Sequence, residues 1–305
     1  MKHRALTRLI AALLCLLLSG QAFAAETVDV QSACSLTLHY TQGETGLSGE
    51  QIALWQVGEV YADGTYALTA PYPVEIQGIT AETEWRATAA TLSAYLTADA
   101  VQPDYLATTD ETGTAVFAEL PVGLYLIRGL TVATDAGNSI FEDFFLFLPR
   151  NTGGSYTYAV EAVPKHATFV PEGEELEYSV LKLWKDAGAA AQRPEQIHVD
   201  ILQDGQLWES VTLSAENSWR YSWNAPAGQD FAVVERQVPA GYTVTVTETE
   251  TAFVLTNTAP PDTDNPQTGD TAPITLYILL LSLSGLGLVL LGIRALRRKS
   301  HDESR

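Results

Sequence analysis

Between Ala25 and Thr268 apolar and polar side chains alternate in short runs, and glycine-containing turns separate the runs. Alternation by ones puts successive side chains on opposite faces of an extended strand. A chain written this way buries its apolar surface by stacking one sheet on another. Ser35–Tyr40 shows the pattern cleanly, Gln51–Val57 repeats it, and Ala115–Phe117 leads through Pro121 and Gly123 to a further strand at Leu124–Ile127. Phe144–Leu148 is apolar without a break, which suits a central strand covered on both faces. One stretch departs from the pattern: Trp85, Ala89, Leu92 and Leu96 are spaced for a helix, so a short inserted helix is expected there.

A second unit follows the acidic link from Val170 to Glu175. Its strands read as Glu177–Trp184, Gln196–Leu202, Leu207–Leu213, Trp219–Trp223, Asp230–Gln237, Tyr242–Thr247 and Ala252–Thr256. Asp204-Gly205 between two of them favours a tight hairpin, because both central residues of that turn take positive φ. The expected fold is all-β, two tandem immunoglobulin-like sandwiches over 25–168 and 175–258, with a linker at 259–264.

The two ends carry different signals. Lys2, Arg4 and Arg8 precede an apolar run from Leu9 to Leu18, and Ala22-Phe23-Ala24 follows, the pattern of a secretory signal peptide over 1–24. Cys15 lies inside that run and is discarded with it. Near the other end no charge interrupts Ile274–Ile293, about the length a helix needs to cross ~30 Å of hydrocarbon. Arg294, Arg297, Arg298 and Lys299 follow at once and hold the tail, 294–305, on the cytoplasmic side. Everything between the two segments is then extracellular.

Composition narrows the partners. The whole chain has a net charge of −20, and removal of its basic ends makes the exported part more acidic still. Nucleic acid is excluded as a partner for such a surface. Cys34 is the one cysteine left after processing, so no internal disulfide forms, and a buried strand thiol is expected.

Asn265-Pro266-Gln267-Thr268-Gly269, followed by the apolar segment and the basic tail, resembles the sorting signal of sortase substrates in Gram-positive bacteria. The resemblance implies cleavage between Thr268 and Gly269 and transfer of the Thr268 carboxyl to an amine of peptidoglycan or of a pilus subunit. Pro266 disfavours helix there, in keeping with the extended strand such a cut requires.

In the second unit, Leu181–Asp186, Arg193-Pro194, Ser218–Tyr221, Val233–Glu235, Val238–Tyr242 and Leu255–Thr258 together resemble the CnaB-type repeat of Gram-positive adhesins and pilins. The resemblance implies an intramolecular isopeptide bond between Lys182 and Asn257, with Glu235 as the catalytic carboxyl. Lys182 shares a strand face with Val180 and Trp184 and is expected to point inward. Lys185 falls on the opposite face.

From Ala25 to Pro164 there is no lysine, so the first unit lacks the amine for a bond of this kind within its own strands. Phe145–Pro149, Tyr156–Tyr158 and Val163–Lys165 resemble the N-terminal domain of pilin subunits, which implies that Lys165 is the amine joined to the next subunit; an ordinary linker lysine is the competing reading.

The mature histidines, His39, His166 and His198, lack metal-ligand spacing, and no phosphate loop or nucleophile elbow is present. No cofactor or metal is expected, and enzyme activity is not. Trp208, Trp219 and Trp223 are candidates for either a sugar-binding strip or core. The sequence describes a wall-anchored stalk or pilin-like subunit whose partners are sortase and peptidoglycan or other pilus subunits. An adhesin recognising a host or matrix ligand through its first unit is the alternative.

Overall fold

A computed structural model describes residues 27–129, 131–134, 137–170, 175–186, 193–249 and 251–259. The signal segment, the sorting motif 265–269, the apolar run 274–293 and the basic tail lie outside these residues. No helix among the described residues is long and apolar enough to cross a membrane.

The first half runs β1 (Cys34–His39), β2 (Thr41–Gln42), β3 (Thr45–Gly46), β4 (Gln51–Val60), β5 (Tyr66–Leu68), α1 (Glu82–Ala98), β6 (Tyr105–Thr108), β7 (Thr114–Leu120) and β8 (Gly123–Ile127). It continues with β9 (Thr131–Thr134), β10 (Gly137–Phe141), β11 (Phe144–Leu148), β12 (Arg150–Thr152), β13 (Ser155–Thr157), β14 (Ala159–Ala162) and β15 (His166–Val170). One sheet has the order β14-β1-β7, and a larger one has β11-β8-β4-β5 with β6 also paired to β4.

Alternation sorts β4 and β8 between two cores. Ile52, Leu54, Tyr125 and Ile127 face the β14-β1-β7 sheet and meet Cys34, Leu36 and Leu38 there. Trp55, Val57, Leu124 and Leu126 face the other way and meet Ala89, Leu92 and Leu96 of α1. The first half is therefore a sandwich with the helix laid on its outer face. The helix runs from Glu82 to Ala98, longer than the apolar spacing marks, and Glu82 and Glu84 in its first turn favour the positive end of its dipole.

Phe144–Leu148 is a correction. It lies at the end of its sheet, not the centre, and Phe144, Phe145 and Phe147 are only half-buried. Its unbroken apolar run reflects cover on both faces: Leu146 and Leu148 join the inter-sheet core, while Phe145 and Phe147 pack against Trp85 of α1. By contrast β8 is buried at every position.

The second half contains β16 (Glu175–Lys185), β17 (Gln196–Gln203), β18 (Gln206–Ser214), β19 (Arg220–Pro226), β20 (Phe231–Glu235), β21 (Thr243–Glu248) and β22 (Ala252–Thr258). These match the strands read from the sequence to within three residues at each end. They form a β19-β16-β22-β21 sheet and a β18-β17-β20 sheet, with β16 parallel to β22. Asp204 and Gly205 both have positive φ in the β17–β18 hairpin.

The sequence treats the halves as separate beads; the core does not. Val74, Ala94 and Tyr95 of the first half belong to the same apolar cluster as Val199, Val233 and Leu255 of the second. Backbone N–H groups on β21 are also satisfied across the boundary, Val244 by the Pro73 carbonyl at 2.7 Å and Val246 by the Thr91 hydroxyl at 2.7 Å. Helix α1 is thus buried on two faces, one toward each half.

Candidate functional site

Along β16 the buried positions are Tyr178, Val180 and Lys182, so alternation carries a lysine into an apolar core. On the neighbouring parallel strand β22 the same face carries Phe253, Leu255 and Asn257. Glu235 enters from the facing sheet, as the last residue of β20. All three polar side chains are buried, and those of Lys182 and Glu235 are fully closed to solvent.

The carboxyl lies between the other two groups. Lys182 Nζ donates to Glu235 Oε2 at 3.1 Å, and Asn257 Nδ2 donates to Glu235 Oε1 at 2.9 Å. Asn257 Oδ1 is buried with no hydrogen-bond partner, an arrangement that costs about 1–3 kcal/mol for an ordinary acceptor. Burial disfavours both charges. It pulls the Lys182 amine down to about 8, against the opposing pull of Glu235, and it pushes the Glu235 carboxyl above the usual range. Burial thus weakens the charged form of each group.

An aromatic and ionic lid closes the site. Lys182 Nζ sits 4.3 Å from the centre of the Trp184 ring, and Trp219 and Tyr242 meet that ring edge-on at 5.7 and 5.5 Å. Arg193 binds both oxygens of Asp186, at 2.7 and 2.5 Å, and the Tyr242 hydroxyl donates to the same carboxyl at 3.0 Å. Arg193 holds the Asp186 carboxyl below the usual range. The sequence marks Asp186, Arg193 and Tyr242 only as parts of a recurring pattern; their mutual contact has no signal in spacing.

Lys165 stands apart from this cluster. Its exposed amine pairs with Glu82 in the first turn of α1, beside an open groove of about 400 Å³ lined by Trp85, Phe145, Phe147 and Arg86. Lys185 is exposed. Trp223 is in the core, Trp219 belongs to the lid, and Trp208 is 42% exposed, so the three make no continuous strip. Cys34 is buried and unpaired, and burial raises its thiol to about 11.

Residues 178–258 match the family model of the Cna protein B-type domain. The chain also resembles several solved structures. A single B repeat unit of the collagen-binding surface protein of Staphylococcus aureus is 15% identical, covering 75% of this chain and 100% of that one, with a TM-score of 0.27. The full-length major pilin SpaD of Corynebacterium diphtheriae is 14% identical over 76% of this chain and 99% of that one, with a TM-score of 0.28. The SpaE basal pilin of Lactobacillus rhamnosus GG is 11% identical over 72% and 86%, again with a TM-score of 0.28. Likeness of this degree assigns no function. Comparison with curated protein sequences finds no match.

Proposed function

We propose that this chain is a structural protein of the Gram-positive cell surface whose second half cross-links itself through Lys182 and Asn257. The observation that carries the reading is the closed Lys182–Glu235–Asn257 cluster, in a segment matching the Cna B-type family. The two ends of a carboxamide have nearly the same shape. With the Asn257 amide turned end for end, its oxygen takes the place facing Glu235 Oε1 and accepts the proton of the neutral carboxyl. The unpartnered acceptor is then satisfied and its carbonyl is polarised.

The neutral Lys182 amine attacks the Asn257 side-chain carbon. A new C–N bond forms, the bond to the amide nitrogen breaks, and Glu235 relays the amine's proton to the nitrogen that leaves as ammonia. The sandwich holds amine and amide together, so a reaction that is slow in solution becomes a single intramolecular event.

The strands joined explain what such a bond does. β16 is the first strand of the half and β22 the last, and they are neighbours. Tension entering at one end and leaving at the other would pass through the cross-link and bypass everything between them. We take Thr268 as the wall-attachment point, joined by sortase to peptidoglycan or a pilus subunit. The Lys165 amine, exposed beside an open apolar groove, supports a pilin-type role in which it accepts the next subunit's carboxyl.

Intact mass of the chain tests the bond. A deficit of one ammonia, absent from Lys182→Ala and Glu235→Ala, is expected; a full mass in folded wild-type protein overturns it. High-mass ladders in wall extracts that vanish in Lys165→Ala would support polymerisation, while discrete bands would favour a monomeric stalk or an adhesin.

A further inference from the structure

Glu235 must be held accurately, yet its own sheet restrains it weakly. It is the last residue of β20, at the edge of the three-stranded sheet, where the chain turns away toward Tyr242. The next residue, Arg236, donates its N–H to the His198 carbonyl of β17 at 3.0 Å. Successive residues in a strand point their polar groups to opposite edges. The Glu235 carbonyl therefore faces away from β17, toward a side where no further strand lies among the described residues.

The partner comes from the other half of the protein. The hydroxyl of Tyr95, near the end of α1, donates to the Glu235 carbonyl at 2.6 Å, and Tyr95 is buried at 6% exposure. One turn further along, Asp99 accepts from Arg236 Nη1 at 3.0 Å, while Arg236 Nε reaches Asp200 at 3.1 Å. The helix end thus grips two consecutive residues at the point where β20 ends.

We infer that Tyr95 is a positioning residue for Glu235, so that the first half of the chain assists cross-link formation in the second. This rests on the Lys182–Asn257 reading. The Tyr95 hydroxyl fixes the backbone from which the Glu235 carboxyl reaches both reacting groups. Without it, the carboxyl loses alignment with the Asn257 carbonyl, and small misplacements are costly in a reaction that relies on orientation.

The test follows ammonia loss over time, by intact mass, in the full chain freshly made by cell-free translation in mild detergent. Tyr95→Phe keeps the ring and removes only the hydroxyl. It is expected to slow the reaction on the order of tenfold and to move the pH of maximal rate, because a displaced Glu235 titrates differently. Thr91→Val is the control: it removes the hydrogen bond to Val246 across the same boundary without touching Glu235. It should leave both rate and pH profile unchanged. Equal rates for wild type and Tyr95→Phe, or equal slowing by Thr91→Val, would overturn the inference. If the wild-type chain never loses ammonia, the cross-link reading itself falls and this inference falls with it.

Discussion

Lys182 faces Leu255 across the parallel β16–β22 pair, and Asn257 stands one side-chain repeat further along the same buried face. Parallel pairing of the first and last strands is what brings amine and amide together. The chain between them exists, from this point of view, to deliver Glu235 from the facing sheet.

Lys182→Ala should retain the full mass and lose stability. It removes the cross-link and also leaves the buried Glu235 carboxyl without its Lys182 hydrogen-bond partner. Leaving a buried polar group unsatisfied costs about 1–3 kcal/mol. Denaturant unfolding of the variant against wild type measures the loss, and an unchanged midpoint would contradict the arrangement.

Bond formation should follow a bell-shaped pH profile. The reactive pair holds one proton, on Glu235, with Lys182 neutral. Rising pH removes that proton, which burial holds on Glu235 above the usual carboxylate range. Falling pH adds a second proton and leaves an ammonium, which cannot attack. The rate of ammonia loss, measured from acid to alkaline buffer, should decline on both sides; a monotonic rise above pH 8 would contradict the shared-proton arrangement.

A cleft along the boundary of the halves should make mild acid stabilising. Burial raises Asp143 to about 6, and Glu248 is raised to about 7 by its enclosure and by Asp143 and Asp230 nearby. Folded values above the unfolded ones mean that the native state binds protons more tightly, so stability rises as pH falls from about 7 toward 4. Glu248 and Asp230 still reach solvent, which screens their share, and the effect should rest mainly on Asp143. Thermal midpoints at pH 5 and pH 7 should differ in that direction, and Asp143→Asn should flatten the difference.

Cys34 should resist alkylation in the folded protein. It is 2% exposed, with its thiol raised to about 11, and thiolate is the reactive form. Iodoacetamide should label it only after denaturation. Rapid labelling under native conditions would mean that β1 opens readily.

The strands of the second half were legible because their pattern is local: each alternation lies within a strand of five to eleven residues, and Asp204-Gly205 fixes a turn by its own φ preferences. The inward aim of Lys182 followed from the same alternation. Phe144–Leu148 misled for a related reason. An apolar run reports that both faces are covered, and it carries no information about which strand lies on either side.

Sequence by itself determined the all-β character of this chain, the spacing of one helix, and the inward aim of Lys182. Tertiary structure decided which groups meet. The Asp186–Arg193–Tyr242 lid, the second buried face of α1 and the Tyr95–Glu235 hydrogen bond join residues separated by as many as 155 positions. Side-chain periodicity acts over a few residues along the chain, whereas such contacts depend on how sheets and helix stack, which no local repeat encodes.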